Sequence, residues 1–262
     1  MSARLVPRDA SFAEVRDLFL NLARAELTAR YKTTTLGMLW FVLNPLLMTL
    51  IFTIVFGHVV RLEIERYPMF VLSGLLPWAF FQTGLVNATG SFVRSVALIK
   101  RVQMPRVLIP LAAIAASLAH FVVSLVVLLI VMVALGVPLS PQMAFLPGAV
   151  LLATACVTGL GLATASVNVL FRDVEHILTA VLRALFYLTP TFYPLSYVPE
   201  RWQPLFLLNP AAGLVEIHRA LLLDGALPEA RVVGATVVAT GIVLAAGLVL
   251  FRYLEADFDD HV

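Results

Sequence analysis

The sequence predicts an all-α integral membrane protein. Hydrophobic residues make up 61% of its 262 positions, charged residues only 13%, and the mean hydropathy is +0.96. A soluble domain is closer to half apolar and a quarter charged. The sequence also contains charge-free runs longer than the roughly 20 residues that a helix needs to cross a bilayer. The longest of them, Val107–Phe171, extends over 65 residues.

An amphipathic helix is predicted over residues 11–30, directly before the first apolar run. Ser11 and Glu14 have the spacing of a capping box. One face of this helix is apolar, and the opposite face carries Asp17, Asn21, Arg24 and Thr28. A helix of this kind before a span is expected to lie in the plane of the membrane interface. A small soluble helical segment is the alternative.

The strip after this helix begins with Arg30, Tyr31 and Lys32 and continues with three threonines. The two cations can reach anionic headgroups while the ring of Tyr31 sits at the boundary of the hydrocarbon. The threonine hydroxyls can satisfy backbone groups where the chain turns from lying flat to crossing. The strip is therefore predicted to be an interface hinge.

Six spans follow from the charge-free runs and the turns between them. The 65-residue run divides at Gly136–Gln142, where a glycine and two prolines mark a turn. The fifth span is interrupted by Arg183, Pro190 and Pro194. The predicted spans are Leu36–Val60, Tyr67–Val93, Val107–Leu135, Ala144–Leu170, Ile177–Leu195 and Val232–Phe251.

Residues 202–223 are apolar but do not fit a span. Two prolines break this segment, and it carries Glu216, His218 and Arg219. Irregular backbone is tolerated at membrane depth only where protein or water satisfies it. The segment is predicted to form short re-entrant or interfacial helices before the last span.

The distribution of basic residues predicts the orientation. With six spans and both termini in the cytoplasm, twelve of the 18 Lys and Arg residues lie inside and five outside, while Arg183 falls within a span. Arg183 could meet lipid phosphates or a polar cavity, or could extend to the cytoplasmic surface. His120 is the other candidate ionisable group considered within a span, and a neutral histidine hydrogen-bonded between helices is the simpler interpretation.

Several activities are excluded or unsupported. Neither Lys32 nor Lys100 follows a glycine-rich turn, so this chain cannot bind ATP through a P-loop. If transport is active, its energy comes from an ion gradient or from another polypeptide. No catalytic motif or paired carboxylate lies within a span. Asp173 and His176 share a helical face, but a solvated loop explains them better than a metal site. We expect no metal, no cofactor in this chain and no nucleic-acid partner.

Two patterns have both a structural and a functional interpretation. The basic amphipathic segment 94–104 could dock into a groove of a soluble partner or simply anchor the loop inside. Aromatic residues in "LPWAFFQ" and "LFYLTPTFYPL" could form an interfacial belt or offer stacking faces to sugar rings. These residues are Trp78, Phe81, Phe186, Tyr187, Phe192 and Tyr193. Both interpretations stay open on the residues alone.

Six stretches, in order, resemble the ABC-2-type permeases of polysaccharide exporters, the membrane subunits of O-antigen, capsule and teichoic-acid ABC transporters. They are "RYKTTTLGMLWFVLNPLL", "LPWAFFQ", "ALIKRVQMPRVLIP", "FRDVEHIL", "LTPTFYPLSYVP" and "NPAAGLVEIHRALLL". Each stretch alone is weak evidence for the family, but together the six stretches cover nearly the whole chain. The resemblance treats residues 1–262 as one transmembrane domain.

The resemblance implies a homodimer in the bacterial inner membrane, paired with two copies of a separate ATPase that binds ATP and Mg²⁺. It implies export of a lipid-linked polysaccharide through a channel lined by the aromatic residues. It also implies that segment 94–104 is a coupling helix, with contacts from Arg94, Ile99, Lys100, Arg101 and Met104. The alternatives are an ABC-2 permease for a drug or small lipid, and a polytopic enzyme acting on lipid-linked sugars.

Overall fold

The structure is a computed structural model that describes residues 11–29, 37–100 and 104–258. This described part is built from helices and contains no strand. Five of its helices are long and apolar enough to cross a membrane. The all-α membrane fold is therefore confirmed.

Eleven α-helices are described in chain order. The first five are α1 (Phe12–Ala29), α2 (Trp40–Phe52), α3 (Tyr67–Thr89), α4 (Ser91–Arg94) and α5 (Val96–Ile99). The others are α6 (Leu108–Ala134), α7 (Leu146–Leu170), α8 (Val174–Tyr187), α9 (Gln203–Leu207), α10 (Pro210–Arg219) and α11 (Ala230–Leu254). A π-helical turn, Thr53–Val59, continues α2, and another, Ala220–Asp224, continues α10.

The amphipathic helix predicted over 11–30 corresponds to α1, which ends at Ala29. The capping box is confirmed, because the Ser11 N–H donates to Glu14 Oε2 at 2.9 Å and the Glu14 N–H donates to Ser11 Oγ at 3.4 Å. This helix packs against α6. The predicted hinge, Arg30, Tyr31 and Lys32, lies outside the described residues.

Helix α3 is the centre of the bundle. It packs against α2, α6, α7, α8 and α10, and 78% of an 18-residue apolar stretch within it is buried, against 6% of the stretch Val42–Val59. Close neighbours require small residues on its surface. A Cβ at Gly84 would meet the Val157 side chain of α7 at 2.7 Å.

Helices α7 and α11 cross at a pair of glycines. A Cβ at Gly247 would strike the Gly159 carbonyl, and a Cβ at Gly159 would meet the Leu244 backbone at 2.6 Å. Small residues allow helix backbones to approach this closely within a membrane. The α7–α11 contact is the most extensive between any two helices in the described part.

The predicted fifth span is represented by α8, which has 14 residues. At 1.5 Å per residue this helix is about 21 Å long, short of the roughly 30 Å hydrocarbon thickness. The chain after Tyr187 is irregular up to Pro194, as the two prolines in the sequence require. Residues 202–223 form α9, α10 and the start of a π-helical turn, in place of a span.

Candidate functional site

A cleft of about 460 Å³ opens between α2, α3 and α8. Three of the aromatic residues predicted from the sequence line it: Trp78, Phe186 and Tyr187. Trp78 is buried to 3% exposure, whereas Tyr187 is 65% exposed. The remaining lining residues are Asn44, Pro45, Met48, Phe52, Leu75, Ala79, Gln82 and Arg183.

The other predicted aromatic residues lie behind this lining. Phe81 is 2% exposed and packs against Trp78, with ring centroids 5.8 Å apart. Phe192 is 8% exposed and lies 5.6 Å from the Phe186 ring and 5.0 Å from Tyr193. All six residues therefore form one aromatic cluster, of which three face the cleft.

Two further aromatic residues, Phe52 and Phe56, belong to this cluster and were not predicted. Phe52 stacks on Phe192 with ring centroids 5.1 Å apart and an interplanar angle of 8°. Phe56 also lies 5.1 Å from the Phe192 ring. Both occur in a uniformly apolar run, where the sequence gives no contrast between lipid-facing and protein-facing positions.

The loop after α8 is fixed by hydrogen bonds from three directions. The Tyr67 hydroxyl donates to the Phe192 carbonyl, and the Tyr193 hydroxyl donates to the Tyr187 carbonyl, both at 2.8 Å. Asn209 Nδ2 donates to Thr189 Oγ1 at 2.9 Å while its Oδ1 caps α10. These bonds hold the aromatic residues on both sides of the loop in place.

Arg219 anchors the same loop from α10. Its Nη2 donates to the Pro190 and Thr191 carbonyls at 2.7 and 3.0 Å, and its Nη1 pairs with Glu216 at 2.7 Å. The guanidinium also stacks over the Phe70 ring, 3.8 Å from its centroid. Burial raises the pKa of the Glu216 carboxyl, and the Arg219 charge opposes this rise.

At the opposite end of α8, a polar linkage joins α3, α4, α7 and α8; we call it the Asn168 linkage. Asn168, buried in α7, donates through Nδ2 to the Thr89 carbonyl and accepts from the Glu175 N–H, each at 3.1 Å. Arg94 donates to the Asn87 carbonyl at 2.5 Å, and its Nη1 lies 3.8 Å from Glu175 Oε1. A Cβ at Gly90 would collide with this ion pair.

The segment predicted as a coupling helix is divided into α4 and α5, followed by the turn residue Lys100. Ile99 and Met104 pack inward, against a core cluster that includes Phe92, Ile109 and Phe251. Lys100 is exposed, and the side chain of Arg94 is 44% exposed although it pairs with Glu175. Arg101 lies outside the described residues.

No group of three or more His, Cys, Asp or Glu residues that could hold a metal ion occurs within the described ranges. Asp173 and Glu175 instead belong to the start of α8, where Asp173 is the N-terminal boundary residue. Of the two, Glu175 serves contacts between helices, through its ion pair with Arg94 and its N–H bond to Asn168.

The comparisons with known proteins agree with this architecture. Residues 17–223 match the model of the ABC-2 type transporter family. The chain belongs to the ABC-2 type transporter family. The ABC-2 chain is accordingly a multi-pass membrane transport component and not an enzyme, as predicted.

Curated relatives align with the ABC-2 chain over almost their full length. The O-antigen export system permease protein RfbA of Myxococcus xanthus is 31% identical over 251 residues, covering 95% of this chain and 96% of the relative. A protein of the same name from Klebsiella pneumoniae is 30% identical over 246 residues, covering 92% and 93%. The polysialic acid transport protein KpsM of Escherichia coli is 26% identical over 247 residues, with the same coverage.

Proposed function

We propose that this chain is the permease subunit of an ATP-driven exporter that moves a lipid-linked polysaccharide, of O-antigen, capsule or teichoic-acid type, across the bacterial inner membrane. Its closely matching relatives include permeases for O-antigen and a transport protein for polysialic acid. The observation that carries the proposal is the cleft between α2, α3 and α8. A cleft with aromatic faces and amide side chains suits a glycan better than an apolar drug.

The aromatic faces have a specific task in this proposal. Sugar rings present C–H faces that stack on aromatic rings, and their hydroxyls hydrogen-bond to amides such as those of Asn44 and Gln82. The exposed ring of Tyr187 and the buried ring of Trp78 lie on different helices that border the cleft. A polymer can pass such rings without forming a tight complex at any one position.

The topology we propose has six spans and both termini in the cytoplasm, with α8 and the loop after it as the fifth crossing. Arg94, Lys100, Arg106, Arg172 and Arg252 then lie on the cytoplasmic side, as the positive-inside rule requires. The α9–α10 segment forms the re-entrant helices of the outer side. The low burial of the α2 span, 6%, supports a homodimer in which a second copy covers part of its apolar surface.

The energy source in this proposal is a separate ATPase subunit, present in two copies, that binds ATP and Mg²⁺. Ile99 and Met104 pack inward while Lys100 is exposed, which supports docking of that subunit on the Lys100 side. The Asn168 linkage then connects this docking segment to α8. Movement of the segment would reach the helix that carries Phe186 and Tyr187.

Co-purification tests the proposal directly. The tagged chain is extracted from its native membrane in mild detergent, and ATP hydrolysis is measured with and without vanadate. We expect a vanadate-sensitive ATPase in equal stoichiometry with the chain. A pure chain without ATPase activity would reopen the interpretation as a gradient-driven carrier or a membrane enzyme.

The substrate is tested by surface glycan in a deletion strain complemented with variants. Tyr187→Ala is expected to reduce glycan export severalfold while the co-purifying ATPase remains. Tyr253→Ala, a matched change of an exposed tyrosine on α11 that does not line the cleft, is expected to export normally. Normal glycan export with drug sensitivity in the deletion strain would favour a small-molecule permease.

A further inference from the structure

Arg183 is the one charged residue, among those that the structure describes, that lines the cleft between α2, α3 and α8. It lies on α8, one turn before Phe186 and Tyr187, and it is exposed. The other polar residues of the lining are Asn44 and Gln82, whose amides can donate or accept hydrogen bonds. Among the described residues no carboxylate lines the cleft, so their only charged group there is this guanidinium.

Arg183 has no ion pair or hydrogen bond with any residue in the described part of the chain. Other arginines at the ends of the bundle have carboxylate partners, as in Arg94–Glu175 and Arg219–Glu216. Glu175 is the nearest carboxylate on α8, but it is eight residues away, about 12 Å along the helix axis. An arginine within a predicted span that has no protein partner marks a candidate functional position.

The geometry of a helix directs this guanidinium toward the basic end of the bundle. Side chains on an α-helix lean toward its N-terminus, which for α8 is the end that carries the Asn168 linkage. The positive group therefore lies toward the end of the cleft that the proposed topology places on the cytoplasmic side, with Phe186 and Tyr187 one turn further along α8. An anion entering from that side would meet the guanidinium first.

We infer that Arg183, with Asn44 and Gln82, forms an anion subsite that binds the phosphate or diphosphate linking the glycan to its lipid carrier. The guanidinium has five N–H donors in a planar fork, a geometry that matches two phosphate oxygens at once. The cavity of about 460 Å³ is large enough for a phosphate group and an adjoining sugar ring. This inference rests on the proposed export of a lipid-linked glycan.

The subsite fixes the orientation in which the lipid-linked glycan binds in the cleft. The phosphate binds at Arg183, the first sugar stacks on the neighbouring aromatic rings, and the acyl chain remains in lipid beside the exposed surface of α2. A neutral polyprenol offers no anion to Arg183, so the subsite distinguishes a loaded carrier from other isoprenoid lipids. Phospholipid headgroups carry the same chemistry and are the competing source of the anion.

Binding is measured through Trp78, which borders the cleft. The chain contains three tryptophans, and Trp40→Phe with Trp202→Phe leaves Trp78 as the only one. The full chain, with any co-purifying subunit, is placed in phosphatidylcholine nanodiscs and titrated with polyprenyl diphosphate or with polyprenol of equal length. We expect saturable quenching by the diphosphate and none by the polyprenol.

Arg183→Gln is expected to weaken diphosphate binding about 10- to 100-fold, since it removes a charge-assisted hydrogen-bond pair. Arg183→Lys keeps the charge without the planar fork and should give an intermediate loss. Arg252→Gln, an exposed arginine at the end of α11 that does not line the cleft, is the matched control. Diphosphate binding that is equal in wild type and Arg183→Gln would overturn the subsite.

The source of the anion is tested by competition. When phosphatidylglycerol is added to the nanodiscs, we expect the affinity for the diphosphate to stay within about twofold of its value in phosphatidylcholine alone. Displacement of the diphosphate by phosphatidylglycerol would overturn the assignment to the lipid carrier and identify a headgroup site. If diphosphate binding does not depend on Arg183 while a vanadate-sensitive ATPase still co-purifies, the subsite alone is refuted. If no such ATPase co-purifies with wild type, the exporter proposal is refuted.

Discussion

Replacing Asn168 with leucine removes the amide that joins the ends of three helices. Asn168 is 1% exposed and belongs to α7, but its two hydrogen bonds go to the last residue of α3 and the second residue of α8. Both partners are backbone groups at helix ends, which have no intrahelical partner of their own. Leucine has a similar volume but cannot replace either bond.

The magnitude follows from what the substitution leaves behind. Each lost hydrogen bond contributes about 0.5–1.5 kcal/mol to the free energy of unfolding, and a buried group left unsatisfied costs about 1–3 kcal/mol. The Thr89 carbonyl and the Glu175 N–H would both lose their Asn168 partner. We therefore expect Asn168→Leu to lower the free energy of unfolding by about 2–4 kcal/mol.

The single cysteine of this chain supplies the assay. Cys156 is completely buried, so a fluorogenic maleimide reacts with it only when the bundle opens, and the midpoint of the reaction on heating reports unfolding. Asn168→Leu should lower this midpoint by several degrees relative to wild type. Asn21→Leu, at an exposed asparagine on α1, is the control and should leave the midpoint unchanged.

Asn168→Asp retains the acceptor for the Glu175 N–H but loses the donor to the Thr89 carbonyl and places a carboxylate at a buried position. We expect it to lower the midpoint at least as far as Asn168→Leu. Equal midpoints for wild type and Asn168→Leu would refute the reasoning that this amide holds the helix ends together. A midpoint change with unaltered coupling between ATP hydrolysis and export would confine its role to stability.

Two further predictions concern packing and pH. Gly247→Ala places a methyl group against the Gly159 carbonyl and should lower the midpoint of the maleimide reaction, by the equivalent of about 1–3 kcal/mol for overpacking. Gly241→Ala is the control, because it lies on the same helix with open space around it, and it should leave the midpoint unchanged. Equal effects of the two substitutions would contradict the close crossing of α7 and α11. Burial lowers the pKa of His218 from 6.5 to about 4, so the stabilisation from its neutral form is present above pH 6.5 and is lost as pH falls toward 4. Between pH 8 and pH 5 the free energy of unfolding of wild type should fall by about 2 kcal/mol more than that of His218→Gln. Melting followed by intrinsic fluorescence at the two pH values measures this difference. Identical pH profiles for the two proteins would show that His218 titrates normally, and the paired comparison cancels the opposite contributions of Glu216 and Asp224.

Most of the fold that can be predicted from the sequence is predicted by its charged residues and its turn residues. The span ends fall where charges or glycine–proline turns occur, and the predicted Val107–Leu135 differs from α6 by one residue at each end. The capping box at Ser11 was readable because its signal is local. The fifth span was harder, since Arg183 and two prolines give competing signals and the helix ends at Tyr187.

The site was less predictable because its contacts are distant in sequence. Nothing near Arg219 indicates that it stacks on Phe70, and Asn168 lies in an apolar run where a single amide has no visible partner. The amphipathic pattern around Ile99 predicts an apolar face, but periodicity alone does not say which surface covers that face. Here the chain's own core covers it.

The near-complete enclosure of α3 has a consequence for biosynthesis. Among the five spans of the described part, α3 is the least hydropathic and the most buried. Its main partners α6, α7 and α10 all follow it in the chain, so α3 must partition from the translocon into lipid before the surfaces that shelter it have been synthesised. A polar substitution at Leu72 or Leu76 would therefore act first on membrane insertion of the nascent chain, before the finished bundle exists.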